Sequence, residues 1–141
     1  MFDTCVYFAV GSAFFAGLTA IFGKIGVSGI NSNLSTFLRT IIVAIVSGAI
    51  VLAMKEWQNP LLLPRKALTA LILSALATGG SWLCYYRALQ LGPASKVAPV
   101  DKLGVIFAVV LAFTFLGEKP ELKTIIGVCL IAAGTLVIVL K

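Results

Sequence analysis

Asp101 is the only acid inside any long apolar stretch of this chain, and it stands beside a base, Lys102. Three further bases, Lys24, Arg39 and Arg87, fall within or at the ends of other such stretches. A charge at the centre of a membrane-spanning helix costs about 2.5–3.5 kcal/mol on the insertion scale, and less toward the ends. Such groups therefore need an ion-pair partner, water or a charged ligand, and the chemistry open to them is electrostatic binding. Covalent chemistry lacks its parts. The chain has no histidine, no serine-hydrolase elbow, no phosphate-cradling GxxxxGK[ST] and no second carboxylate within an apolar run. An enzyme is not expected, and neither is a cofactor or a metal. Cys5, Cys84 and Cys129 lie in apolar runs without CxxC spacing and read as small packing residues.

The elements that must position these residues are five apolar runs, Thr4–Gly23, Ser35–Met54, Ala67–Leu89, Val97–Gly117 and Thr124–Leu140. Each approaches the roughly 20 helical residues that cross a hydrocarbon core about 30 Å thick. Composition agrees, with 60% hydrophobic residues, 11% charged residues and a mean hydropathy of +1.10. The expected class is all-α, a polytopic membrane protein with five transmembrane helices. The connections Lys24–Leu34, Lys55–Lys66, Gln90–Lys96 and Glu118–Lys123 are too short for a separate catalytic domain, so residues 1–141 are expected to form a single domain. Met1-Phe2-Asp3 offers no basic n-region, so the first helix is expected to be retained rather than cleaved as a signal.

Following the chain back and forth places Lys24, Arg39, Arg87, Asp101 and Lys102 toward one membrane face, where they are able to converge. Asp101 lies about four residues, or roughly 6 Å, inside the fourth helix at 1.5 Å per residue, within reach of Arg87 or Arg39. Pro99 disfavours helical geometry at Ala98 and predicts irregular, polar backbone beside Asp101, which belongs in a cavity or a protein interface. Two readings stay open: a solute vestibule, or bases that snorkel to headgroups around a simple Asp101 clasp. Trp82, Tyr85 and Tyr86 likewise read either as an interfacial aromatic belt or as the wall of a solute path.

Small residues at four-residue spacing let helices approach in lipid. Such stripes occur at Ser12, Ala16, Thr19 and Gly23, at Thr40, Ala44 and Gly48, and at Gly104, Ala108 and Ala112. In the third run, Ser74, Thr78, Ser81 and Tyr85 share a polar face that is expected to meet a cavity or another helix.

The net charge of +6 suits anionic headgroups or anionic solutes; no nucleic-acid partner is expected. An odd number of spans puts the termini on opposite sides. Lys24, Arg39, Arg87, Lys96, Lys102 and Lys141 fall on one side, and Lys55, Arg65, Lys66, Lys119 and Lys123 on the other. Six against five sets no orientation, so insertion both ways is compatible with the charges.

The run Ser81–Leu140 closely resembles the EamA-type domain of the drug/metabolite transporter superfamily. The resemblance is carried by RALQLGPASKVAPVDKL at Arg87–Leu103, FLGEK at Phe115–Lys119 and TIIGVCLIAAGTLV at Thr124–Val137. FAGLTAIFGKIGV at Phe15–Val27 and SNLSTFLRT at Ser32–Thr40 extend it over the short, single-domain members. The resemblance implies one half of an inverted-repeat, ten-helix transporter of small metabolites or drugs. The first run lacks the acid that small multidrug exporters use for cations and protons. The expected function is thus secondary transport of small metabolites by a dimer through alternating access in the plasma membrane, with membrane lipids around it and the two copies in opposite orientations. Excess positive charge at Lys24, Arg39, Arg87 and Lys102 over Asp101 favours amino acids or other carboxylate-bearing solutes, with Trp82, Tyr85 and Tyr86 as stacking walls and Pro99, Gly104, Ala108 and Ala112 as structural positions. The alternative is a non-transporting membrane subunit or assembly partner.

Overall fold

A computed structural model describes residues 2–140; Met1 and Lys141, the latter one of the charges in the orientation tally, lie outside the described residues. Helices are the regular elements, in the order α1 (Phe2–Gly26), α2 (Ser32–Ala53), a 3₁₀ turn at Pro60–Leu62, α3 (Arg65–Leu91), α4 (Ala94–Asp101), α5 (Gly104–Leu111), a π turn at Ala112–Leu116 and α6 (Leu122–Val139). Five helical stretches are long and apolar enough to cross a membrane: Thr4–Gly26, Ser32–Ala53, Arg65–Leu91, Ala94–Leu116 and Leu122–Val139. The five expected spans are therefore present, with ends shifted by a few residues.

Among the described residues the buried apolar side chains are few, Ala20, Val27, Tyr86 and Leu89. Large apolar side chains such as Phe8, Phe22, Ile45, Leu76, Phe107 and Leu130 are exposed along every span. In water this surface would be untenable. In lipid it is the solvated face, and contacts between helices are left to small and hydroxyl-bearing residues.

The chain divides into two compact units, one of residues Gly23–Leu91 and the other of the chain up to Phe22 together with the chain from Gly92 onward. In the Gly23–Leu91 unit, α2 starts at an Asn31 N-cap whose side chain accepts from the Asn33 amide at 2.8 Å. Serine and threonine sit inside this apolar helix because their hydroxyls donate to carbonyls one turn back, Thr36 to Ser32 at 2.9 Å and Thr40 to Thr36 at 2.8 Å. Past the end of α2, Lys55 takes a left-handed conformation (φ 56°), and Glu56 donates to the Val51 carbonyl. This closes the helix in the manner of a glycine-terminated one. α3 packs on α2. At the end of α1, a Cβ at Gly23 would meet Leu89 Cδ1 at 3.2 Å and the Tyr86 hydroxyl at 3.4 Å, so the close approach to α3 favours glycine there and a larger residue would push these side chains aside.

Within the single chain the covered faces coincide only in part with the expected stripes. On α2 the covered face is Ser32, Ser35, Thr36 and half-buried Arg39, whereas Thr40 and Ala44 are exposed and Gly48 is half-buried. On α1, Ala16 and Thr19 are half-buried and Gly23 buried as expected, while Ser12 is exposed. Ser74, Thr78 and Ser81 on α3 are exposed, and only Tyr85 is partly covered. Thr78 donates to the Ser74 carbonyl at 2.9 Å, which satisfies its hydroxyl proton within its own helix.

In the other unit, α4 and α5 both contact α6. Helix α4 runs through Ala98 and Pro99 to Asp101, so the interruption expected before Pro99 falls after it. The tightening is taken up at Lys102 and Leu103, whose amides donate to the Pro99 and Val100 carbonyls at 3.0 Å each. Proline withholds its own amide and crowds the preceding turn, and the downstream turn narrows in response. Buried Thr135 of α6 donates to Ile131 at 2.8 Å and to the Pro99 carbonyl at 3.4 Å, tying α6 to this kink. The span ends in the π turn and at Gly117, whose φ of 68° favours glycine.

Candidate functional site

Arg39 lies seven residues into α2, about 10 Å along the axis at 1.5 Å per residue. It shares a face with Ser32, Ser35 and Thr36 because 3.6-residue periodicity stacks those positions. On α3, Trp82 and Tyr86 are one turn apart and present their rings to the same side. The Arg39 guanidinium carbon stands 4.1 Å from the Trp82 ring centroid and 5.6 Å from that of Tyr86. Tyr85 packs edge-on against Tyr86 with centroids 6.2 Å apart. Arg39 Nη1 is buried and has no hydrogen-bond acceptor.

Three hydrogen bonds involve the end of α3 beside this cluster. Lys24 Nζ donates to the Leu89 carbonyl at 2.6 Å, placing a cation at the carbonyl-rich end of the helix, where the macrodipole favours it. Gln90 Nε2 donates to the Ile30 carbonyl at 3.0 Å, and Arg87 Nη1 donates to Gln90 Oε1 at 2.6 Å. Gln90 and the Leu89 and Ile30 carbonyls were not legible as site features. The Arg87–Gln90 spacing of three along one helix was the available signal for the first of them.

The other unit holds a separate charged feature. Asp101 is the eighth residue of α4, so it lies seven residue steps, or about 10 Å, from the helix start, deeper than the sequence suggests. Its carboxylate meets Lys102 Nζ at 3.4 Å, and both side chains are substantially exposed. Within this unit the carboxylate pairs with the adjacent residue. Arg87 and Arg39, the partners expected for it, belong to the Gly23–Leu91 unit, where Arg87 is bonded to Gln90 and Arg39 is stacked on rings. Neighbours in sequence reach each other without any helix having to be rotated into place. Pro99 and Ala112 are half-buried, and Gly104 and Ala108 are exposed.

Of the expected site residues, then, Arg39, Trp82 and Tyr86 meet directly, Tyr85 extends their aromatic cluster, Lys24 and Arg87 hold the end of α3, and Asp101 pairs with Lys102. The Arg39 cluster of the Gly23–Leu91 unit is suited to holding a charge inside a membrane.

Similarity to known proteins points the same way. An uncharacterized transporter encoded in the cobO 3′ region of Sinorhizobium sp. is 48% identical over 132 residues, 94% of each chain. An uncharacterized protein of Methanocaldococcus jannaschii is 34% identical over 137 residues, 96% of each chain. No solved structure matches the chain. The model of the EamA-like transporter family matches residues 3–140, essentially the whole length. With five apolar spans, charges held within them and this match from end to end, the chain belongs to the EamA-like transporter family.

Proposed function

We propose that this protein is a secondary transporter of small metabolites that works as a dimer in the plasma membrane, each copy supplying five helices and the pair alternating access to a central site. The observation that carries the reading is Arg39. A guanidinium about 10 Å inside a span bears an insertion cost approaching the 2.5–3.5 kcal/mol of a central charge. Stacking on Trp82 and Tyr86 offsets about 2 kcal/mol of that at best. A buried N–H without an acceptor adds back about 1–3 kcal/mol. A purely structural arginine would have its N–H groups satisfied, so the residual cost is accounted for by a ligand that supplies the missing acceptor.

In the other unit, Asp101 and Lys102 are retained as proposed solute contacts, since an exposed ion pair within a span must meet water or another polar group. Opposed copies fit the near-even distribution of Lys and Arg between the two sides. The sister protein from Sinorhizobium, described as a transporter, supports the same activity.

The test is flux. Purified protein reconstituted in liposomes is screened against pooled metabolites, with mass spectrometry identifying what crosses. Saturable, protein-dependent movement of at least one solute is expected, and Arg39→Gln should abolish it. A correctly folded, reconstituted protein that moves nothing would leave the membrane-subunit alternative, in which the exposed Gly104 and Ala108 serve only to bind another membrane protein.

A further inference from the structure

The Gly23–Leu91 unit contains six bases, Lys24, Arg39, Lys55, Arg65, Lys66 and Arg87, against one acid, Glu56. Glu56 lies beyond the far end of α2, seventeen residues from Arg39, a separation of about 25 Å along a helix. The unit therefore contains no carboxylate for Arg39. Ser35 and Thr36 on the same face donate back into α2, and Gln90 is bonded to Arg87 and Ile30; none of these groups accepts from Nη1. Nη1 is left buried and without an acceptor beside the Trp82 and Tyr86 rings.

We infer that the Nη1 edge of Arg39 is the subsite for a single carboxylate group of the transported solute, with Trp82 and Tyr86 holding the guanidinium in orientation and contacting the solute's apolar body. This rests on the transport reading and names the solute class it serves.

The geometry selects the anion in two ways. Rings against the guanidinium leave its edge as the direction for binding, and a planar fork presented edge-on matches a planar carboxylate. Charge balance sets the count. One guanidinium neutralises one negative charge, whereas a phosphate monoester carries about −1.5 to −2 near neutral pH and would leave charge uncompensated within the span. Lys24 does not supply the balance here, because its ammonium is hydrogen-bonded to the Leu89 carbonyl at the end of α3.

Since Nη1 has essentially no accessible surface, the described state is closed at this point. A carboxylate that reaches it must displace the neighbouring side chains, and Trp82 is the nearer ring. Its indole therefore serves as a built-in reporter. Trp57, the other tryptophan, is exposed in the connection between α2 and α3 and away from this cluster, so Trp57→Phe isolates the signal.

The experiment uses the Trp57→Phe protein in an uncharged detergent, titrated with a panel of aliphatic and aromatic monocarboxylates and with the corresponding amides. At least one acid should change Trp82 emission saturably and bind at least tenfold more tightly than its amide. Arg39→Gln should reduce the acid to the affinity of the amide while leaving the amide unaffected, and Arg39→Lys should recover only part of the difference. Because the acid–amide comparison needs no change at Arg39, it decides the matter even if Arg39→Gln fails to fold. Equal binding of acid and amide overturns the inference, as does equal binding of inorganic phosphate, or no response to any acid in the panel. Adding phosphatidylglycerol provides a further arm: if the lipid alone produces the emission change and acids then have no effect, the acceptor is a headgroup phosphate and the solute subsite fails. Flux confined to neutral or cationic solutes would overturn this inference and leave transport standing, while carboxylate binding without any flux would do the reverse.

Discussion

The guanidinium of Arg39 on α2 lies 4.1 Å from the ring of Trp82 on α3, a cation–π contact between two membrane spans. In lipid such a contact does two things at once. It offsets part of the cost of keeping the charge away from water, and it fixes the rotation of α2 against α3, which uniformly apolar helix faces do not specify.

A double-mutant cycle with Arg39→Gln and Trp82→Leu is expected to give a coupling energy of about 0.5–2 kcal/mol, set by how dry the contact is. Unfolding in mixed micelles measures it. Coupling indistinguishable from zero would mean that the ring does not hold the guanidinium.

Gly23 and Gly104 are expected to respond in opposite ways. Gly23→Leu forces a side chain against Leu89 and Tyr86 and should destabilise the folded chain by about 1–3 kcal/mol. Gly104 has nothing within 4 Å of an added Cβ, so Gly104→Leu should change single-chain stability by less than about 0.5 kcal/mol. If copies meet along Gly104 and Ala108, the same change should weaken dimerisation at least tenfold, as read by energy transfer between labelled copies.

Lys24→Met removes the donor to the Leu89 carbonyl. The expected loss is about 1.5 kcal/mol, the low end for a hydrogen bond from a charged group, because Lys24 is only half-buried. Lys24→Arg should recover part of it. Transport lost with stability unchanged would instead assign Lys24 to the solute.

For Asp101→Asn, exposure of the Asp101–Lys102 pair limits the stability change to less than about 1 kcal/mol. This is well below what a buried clasp with Arg87 or Arg39 would give. A marked loss of flux in this variant, with an unchanged melting transition, would therefore report solute contact. Destabilisation by several kcal/mol would show that the carboxylate is buried in the assembled protein.

Reporter fusions at the C-terminus should reveal both orientations in the wild-type chain, and two or three added lysines on one side should drive the population to one of them. Uniform orientation before any lysine is added would exclude an antiparallel pair.

Span number, helical class and the positions of the intramembrane charges were legible in the sequence, because hydropathy, length and residue type are local properties that need no neighbour. Five runs of the right length predict five spans, and five are present. Partner choice was not legible. Lys24 bonds a carbonyl 65 residues away, and Gln90 one 60 residues away. Arg39 meets Trp82 and Tyr86 across a helix pair, a contact that residue spacing does not specify. Those pairings depend on how each helix is rotated about its axis, and a span that is apolar on every face carries no hydrophobic signal for rotation when the surrounding solvent is itself apolar. The kink shows the same limit on a smaller scale. Pro99 marks where α4 must yield, but the side on which it yields is set by the turn at Lys102 and Leu103 and by the hydrogen bond from Thr135 on α6. Sequence thus determined that charges would be held within the membrane, and tertiary structure decided which groups hold them, because in lipid only packing and hydrogen bonding between helices set their relative rotation.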